Sequence, residues 1–278
     1  MRNIKLTIEY DGTHYHGWQS QINAPAVQDA VEKALRRLTG EDCRLTGASR
    51  TDVGVHALGQ VANFYTRSPI PADKFSYALN SLLPADIVIR TSCEVESDFH
   101  SRFFAQGKMY RYLIYNSNRP SALLRHRACF VPQPLDVERM GRAAQFFLGT
   151  HDFSAFRATG SNTKTSTRTM FRVSVRAERE PAGVSGVPMD PPDAGDWDRR
   201  LILFEIVGDG FLYNMVRIMA GTLIEVGLGK MSPEDALRAL ESGERDFAGR
   251  TAPSHGLYLV EVYYETVESV LSRVVIKK

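Results

Sequence analysis

The run Gly47-Ala48-Ser49-Arg50-Thr51-Asp52-Val53-Gly54-Val55-His56-Ala57 sets one carboxylate between a guanidinium two residues before it and a glycine two residues after it. Cys43-Arg44-Leu45-Thr46 precedes it and Gln60-Val61-Ala62-Asn63-Phe64-Tyr65 follows, and both read as strands. A carboxylate on a strand-to-strand connection, with small residues beside it, can meet a substrate at close range. A nearby cation keeps the carboxylate ionised, the form that acts as nucleophile or base. On an extended chain Arg50 and Asp52 turn to the same side. Position alone leaves Asp52 equally suited to making a turn, which Asp and Gly favour.

Three further constellations carry possible chemistry. Tyr110 and Tyr112 alternate in Lys108-Met109-Tyr110-Arg111-Tyr112 with basic residues around them, a pattern able to stack an unpaired base, although core packing is the commoner use of strand tyrosines. Arg217 stands in the otherwise apolar stretch Gly210–Gly221, a helical turn from Tyr213 and Asn214, where a guanidinium needs an anion, either a carboxylate of the protein, with Asp52 the leading candidate on functional grounds, or a phosphate. His14, His16, His56 and His151 lie near aspartates, but none has helical i, i+4 spacing and no cysteine joins them, so hydrogen-bonding loop histidines are expected rather than a metal centre. No phosphate-binding loop, dinucleotide fingerprint or Ser-His-Asp order is present.

These residues need elements to position them. The chain has 278 residues, 43% hydrophobic and 24% charged, enough for one large domain or two ordinary ones around packed cores. Net charge is only +2, but its distribution is uneven. Phe99–Gln133 holds no acid and carries Arg102, Lys108, Arg111, Arg119, Arg125 and Arg127; Phe153–Ala177 holds none and carries Arg157, Lys164, Arg168, Arg172 and Arg176. Such segregation makes either a surface for a polyanion or ordinary solvated strand faces. Cys43, Cys93 and Cys129 form no metal-spaced pair or disulfide framework and suit a reducing cytoplasm, with Cys43 and Cys93 expected in the core. Met1-Arg2-Asn3-Ile4-Lys5 enters a strand pattern directly, with no leader-like apolar region, and no run is long enough to span a bilayer.

Alternation at Ile4, Leu6, Ile8 and Tyr10 predicts a strand. Pro25 is expected to open a helix with apolar positions Val27, Ala30, Val31, Ala34, Leu35 and Leu38, closed by Gly40. Strands at Cys43–Ser49 and His56–Tyr65, a helix over Ala72–Leu83 and a strand from Ile87 complete a β-α-β-β-α-β order. That order implies an antiparallel sheet with helices on one face and the other face free to bind. The second half reads as strands at 109–115, 170–178, 201–207 and 257–264, with helices at 137–148, 212–226 and 233–240. Pro181–Asp198 reads as a long hairpin loop, and the tail after Thr266 as a short helix or a frayed end. The fold class expected is α+β, divided into 1–107, which carries Asp52, and 108–278.

The separated motifs Tyr10-Asp11-Gly12-Thr13, Gly17-Trp18-Gln19, Arg50–Ala57, Lys108–Tyr112, Gly149-Thr150-His151-Asp152-Phe153, Phe211–Arg217 and His255–Leu259 together resemble the TruA family of tRNA pseudouridine synthases. Ser49 departs from the glycine often found there in bacterial members. The resemblance implies two ferredoxin-like or RRM-like α+β domains with antiparallel sheets joined across a central cleft. It implies Asp52 as the catalytic aspartate, Tyr110 as the tyrosine stacked on the target uracil and Arg217 as the partner of the carboxylate. Arg50 matches the arginine that helps hold the target nucleotide out of the stem. It also implies no metal and no cofactor, a cytoplasmic homodimer, and tRNA as the partner, modified at positions 38, 39 and 40 of the anticodon arm. Two readings from other classes stand beside it: a non-catalytic RNA-binding module, and a metal-dependent hydrolase using the His and Asp groups.

Overall fold

The computed structural model describes residues 1–158, 160, 165–179, 199–267 and 269; the Pro181–Asp198 segment and nearly all of the tail lie outside them. The chain forms two compact units, Met1–Lys108 with the chain from Tyr258 on, and Met109–Leu257. The last strand is thus grouped with the first unit, where the 108–278 division placed it in the second.

In the first unit, strands β1 (Arg2–Tyr10), β2 (Thr46–Gly47), β3 (His56–Thr66) and β4 (Ile87–Val95) alternate with helices α1 (Val27–Thr39) and α2 (Phe75–Asn80). The sheet order is β4-β1-β3, with β2 also on β3, all antiparallel. Ile4, Leu6 and Ile8 are fully buried, as strand alternation requires. On α1 the stripe Val27, Val31, Ala34 and Leu35 is buried, and Gly40 ends the helix at φ 75°, a left-handed position that costs glycine little. Pro25 lies ahead of this helix, not inside it.

Three expectations are corrected here. Strand β2 has two residues, not seven, because neighbouring backbone donors are taken elsewhere: Leu45 N–H goes to Glu32 Oε1 (2.9 Å) and Ser49 N–H to Gln60 Oε1 (3.2 Å). Cys93 is exposed, unlike Cys43. Thr7 pairs with Thr91 but Ile8 with Ile89, so Arg90 is an extra residue that reverses the faces beyond it. Finally, the sheet face opposite the helices is partly covered by the chain itself. Asn63 Nδ2 donates to Asn3 Oδ1 (3.0 Å), and Asn3 Nδ2 donates to the carbonyls of Glu96 and Phe99 (3.0 and 2.9 Å).

In the second unit β5 (Gly107–Asn116), β9 (Arg200–Gly208), β8 (Thr167–Arg179) and β7 (Gly149–Asp152) follow one another across a sheet, and β6 (Cys129–Val131) adds to β5. The short strands β6 and β7 were not anticipated. Helices α3 (Val137–Gln145), α4 (Met215–Gly227) and α5 (Pro233–Ser242) complete the unit. Helix α5 starts at a capping box: the Ser232 hydroxyl accepts from Asp235 N–H while Asp235 accepts from Ser232 N–H. Strand β10 (Leu257–Tyr263) runs parallel to β3 in the first unit, Tyr258 opposite His56.

Two cations of the acid-free stretches are engaged by an acid of the chain. Glu205, 6% exposed, is paired with Arg111 (2.6 Å) and with Arg176. Burial acts to raise its pKa, and the bonds and charges of Arg176 and Arg111 outweigh this, so the carboxyl lies below its ordinary range. A depressed carboxylate pKa contributes stability above the unfolded value and loses it as pH falls through the folded one. Glu205→Gln is therefore expected to cost about 2 kcal/mol at neutral pH, less than a fully buried pair because both guanidiniums keep some water. Thermal unfolding should show this deficit hold from pH 7 to about pH 5 and shrink as the buffer is taken below the ordinary carboxyl value of 4.5; a gap unchanged in that acid range would mean the pairing is not its source.

Candidate active site

Asp52 is half-buried on a tight turn. Val55 N–H donates to Asp52 O (3.1 Å), and Gly54 takes φ 75°. The motif near the N-terminus supplies the brace. Trp18 N–H donates to Thr51 O (3.1 Å), Gly54 N–H to Tyr15 O (3.3 Å), and the Tyr10 and Thr51 hydroxyls are 2.7 Å apart. The glycines of that motif permit this contact. A Cβ on Gly12 would stand 2.1 Å from Val55 O, and one on Gly17 (φ 88°) would stand 2.4 Å from Thr51 O.

Two side chains lock the ends of the run. Gln60, fully buried on β3, accepts from Ser49 N–H and donates to Ser49 O (2.7 Å), which fixes the backbone just before Arg50. His56, 1% exposed, stacks on Tyr258 with ring centroids 4.7 Å apart. Its Nδ1 lies 3.1 Å from both Gly12 N and Asp11 Oδ1, so one tautomer accepts from the amide and the other donates to the carboxylate. Burial and the Asp86 carboxylate, which accepts from Tyr15 Oη (2.8 Å), push the Tyr15 phenol up, so it stays a neutral donor. Arg50 is exposed, one residue from Thr51. The sequence singled out Asp52 and Arg50; it did not show that Gly12, Gly17, Thr51 and Gln60 hold them. The only trace of that role was the clustering of glycines with Tyr10 and Trp18.

In the second unit Tyr110 is buried on β5, its ring edge-to-face with Phe211 at 4.9 Å. Tyr112, two residues on, is wholly buried and donates to Pro253 O (2.7 Å), a structural role. Arg217 lies in the first turn of α4. Within its unit neutral oxygens hold it: Nε donates to Ala252 O (2.8 Å) and Nη1 to Asn214 Oδ1 (2.6 Å). Asn214 sits at φ 59°, and Ala252 N–H returns a bond to Arg217 O (3.0 Å). The segment carrying Ala252 comes close because Gly221 offers no Cβ; one there would lie 1.7 Å from Arg250 O. Gly249 N–H donates to Thr222 Oγ1 (2.8 Å) on the same helix. These bonds fix the direction of the guanidinium.

Among the described residues no group of three or more His, Cys, Asp or Glu is placed to hold a metal ion. None of the described helices is long and apolar enough to cross a membrane.

The structure is thus of mixed α and β class, with largely antiparallel sheets and a carboxylate on a braced turn. A family model described as tRNA pseudouridine synthase matches residues 6–103 and 143–265, and the chain belongs to that family, whose members are isomerases. The chain is 61% identical over 264 residues to "tRNA pseudouridine synthase A" of Acetivibrio thermocellus, covering 95% of this chain and 100% of the relative. Proteins of the same name from Ruminiclostridium cellulolyticum and Thermoanaerobacter sp. are 52% and 45% identical, with the same coverage.

Proposed function

We propose that this protein isomerises uridine to pseudouridine at positions 38, 39 and 40 of the tRNA anticodon stem-loop, with Asp52 as the catalytic carboxylate. The observation that carries the reading is the turn of Asp52, held by backbone bonds from the Tyr15–Trp18 segment in a chain that belongs to the pseudouridine synthases. Such preorganisation is what a reacting carboxylate needs.

The reaction breaks the N1–C1′ bond, turns the uracil and joins C5 to C1′. No atom is gained, so the chemistry requires no cofactor. Asp52 acts at the sugar, either by adding to C1′ or by abstracting a sugar proton. Tyr110 stacks on the uracil; in the last step the proton leaving C5 passes to solvent while the freed N1 takes one up, so the product is an isomer of the substrate. Arg217 keeps Asp52 ionised and oriented. Arg50 holds the target nucleotide out of the stem, where unstacking costs a few kcal/mol. In this reading two ferredoxin-like domains meet across a central cleft, the enzyme works as a cytoplasmic homodimer, and tRNA lies across both subunits. The basic side chains not used by Glu205 contact phosphates, which position RNA without reading its sequence.

Mapping pseudouridine in tRNA from cells with and without the gene tests the reading: loss at 38, 39 and 40 is expected, and retention at all three would overturn it. Arg217→Ala is expected to lower kcat about 100-fold and to destabilise the protein mildly, since Ala252 loses its side-chain donor. Single-turnover assays with a parallel melting curve check both parts, and wild-type turnover would remove Arg217 from the site.

A further inference from the structure

We propose that residues 99–104 form a stacking platform for an unpaired base of the RNA, centred on the ring of Phe103. This rests on the reading of the substrate as tRNA and names a second point of contact with it. Phe103 is 73% exposed, a costly position for an apolar ring. The His100 imidazole stacks against it at 4.2 Å and 28°, and the Arg102 guanidinium carbon lies 5.8 Å from its centroid. Aromatic, imidazole and guanidinium planes gathered at one surface point are the groups on which unpaired bases stack.

The ring is exposed because the loop is held, not because it is loose. His100 accepts at Nδ1 from the amides of Arg102 and Phe103 (3.2 Å each) and at its carbonyl from Phe104 N–H (3.0 Å). Beneath it Ser101 is wholly buried. Its N–H donates to Asn63 Oδ1 (3.0 Å), its hydroxyl to Thr46 O, and its carbonyl accepts from Tyr264 Oη (2.7 Å). A buried polar network thus serves to present an apolar ring to solvent.

Charge favours RNA as the occupant. Arg102 begins the basic side chains of the acid-free stretch, and Lys5 lies over the Phe99 ring at 5.7 Å. Glu96 and Asp98 precede the loop, so a phosphate backbone passes on the Arg102 side. The loop sits at the level of Asn63, seven residues along β3 from His56, roughly 23 Å at about 3.3 Å per residue. The stacked base is therefore not the target uridine. Such a contact is equal in ground and transition states, so it acts on KM and leaves kcat alone.

The test compares Phe103→Ala and Phe103→Trp in the full-length enzyme on unmodified tRNA transcript. Phe103→Ala is expected to weaken tRNA binding and raise KM by about 5- to 100-fold, with kcat and the melting temperature unchanged. Phe103→Trp should restore binding, and its added indole emission should be quenched by tRNA. Wild-type Kd and KM in Phe103→Ala would overturn the platform, as would a changed oligomeric state by light scattering with tRNA affinity intact, which would mark a protein interface. Failure of the wild-type enzyme to release tritium from C5-labelled uridine would instead strike the functional reading itself.

Discussion

Asp52→Asn is expected to bring tritium release from tRNA labelled at uridine C5 below detection, a loss of at least about 10⁴-fold, while tRNA binding stays within a few-fold of wild type. Asparagine has nearly the shape of aspartate, and the turn bond uses the backbone oxygen of residue 52, so the substitution removes charge and leaves the turn. Neither addition to C1′ nor abstraction of a sugar proton is open to a neutral amide. The loss should therefore appear in the chemical step. Single-turnover assays with enzyme in excess, paired with filter binding, separate the two quantities. Appreciable turnover in this variant would take Asp52 out of the mechanism, whatever happened to binding.

The second large effect lies away from the carboxylate. Gly12→Ala should reduce the single-turnover rate by at least about 100-fold, because a methyl 2.1 Å from the Val55 carbonyl forces the turn to move. Overpacking of this kind costs about 1–3 kcal/mol of stability, and with a buried backbone atom as the obstacle the upper end is expected. The discriminating readout is the protein that remains folded. Folded Gly12→Ala enzyme with a normal rate would mean that the position of the turn does not govern catalysis. Gly40→Ala is the matched control. Gly40 has positive φ but nothing near its Cβ, so it should lose about 1 kcal/mol of stability and no activity per folded molecule.

Elements whose information is local were legible in the sequence. Strand β1 shows through the alternation of Ile4, Leu6 and Ile8, and α1 through Val27, Val31, Ala34 and Leu35 with Gly40 as its stop. Errors arose where a distant residue competes for a backbone group or a face. Glu32 and Gln60 draw amides out of the ladder that Cys43–Ser49 was expected to make. A one-residue bulge at Arg90 turns Cys93 outward, and nothing in the local pattern announces it. Counting charges along the chain left Arg111 and Arg176 open to a polyanion or to solvent; it did not show that a carboxylate 94 residues from the first and 29 from the second pairs with both.

The candidate site divides in the same way. The sequence by itself determined the chemistry on offer: a carboxylate beside a guanidinium, a tyrosine on a strand and an arginine in an apolar stretch. These follow from residue type and spacing, which the chain carries in one dimension. Only the tertiary structure decided what holds each group still. Tyr10, Gly12, Tyr15, Gly17 and Trp18 reach the Asp52 turn across some forty residues, and Ala252 reaches Arg217 across 35. The physical reason is that rigidity comes from close approach. A missing Cβ against a carbonyl becomes a constraint only when the chain has brought the two together.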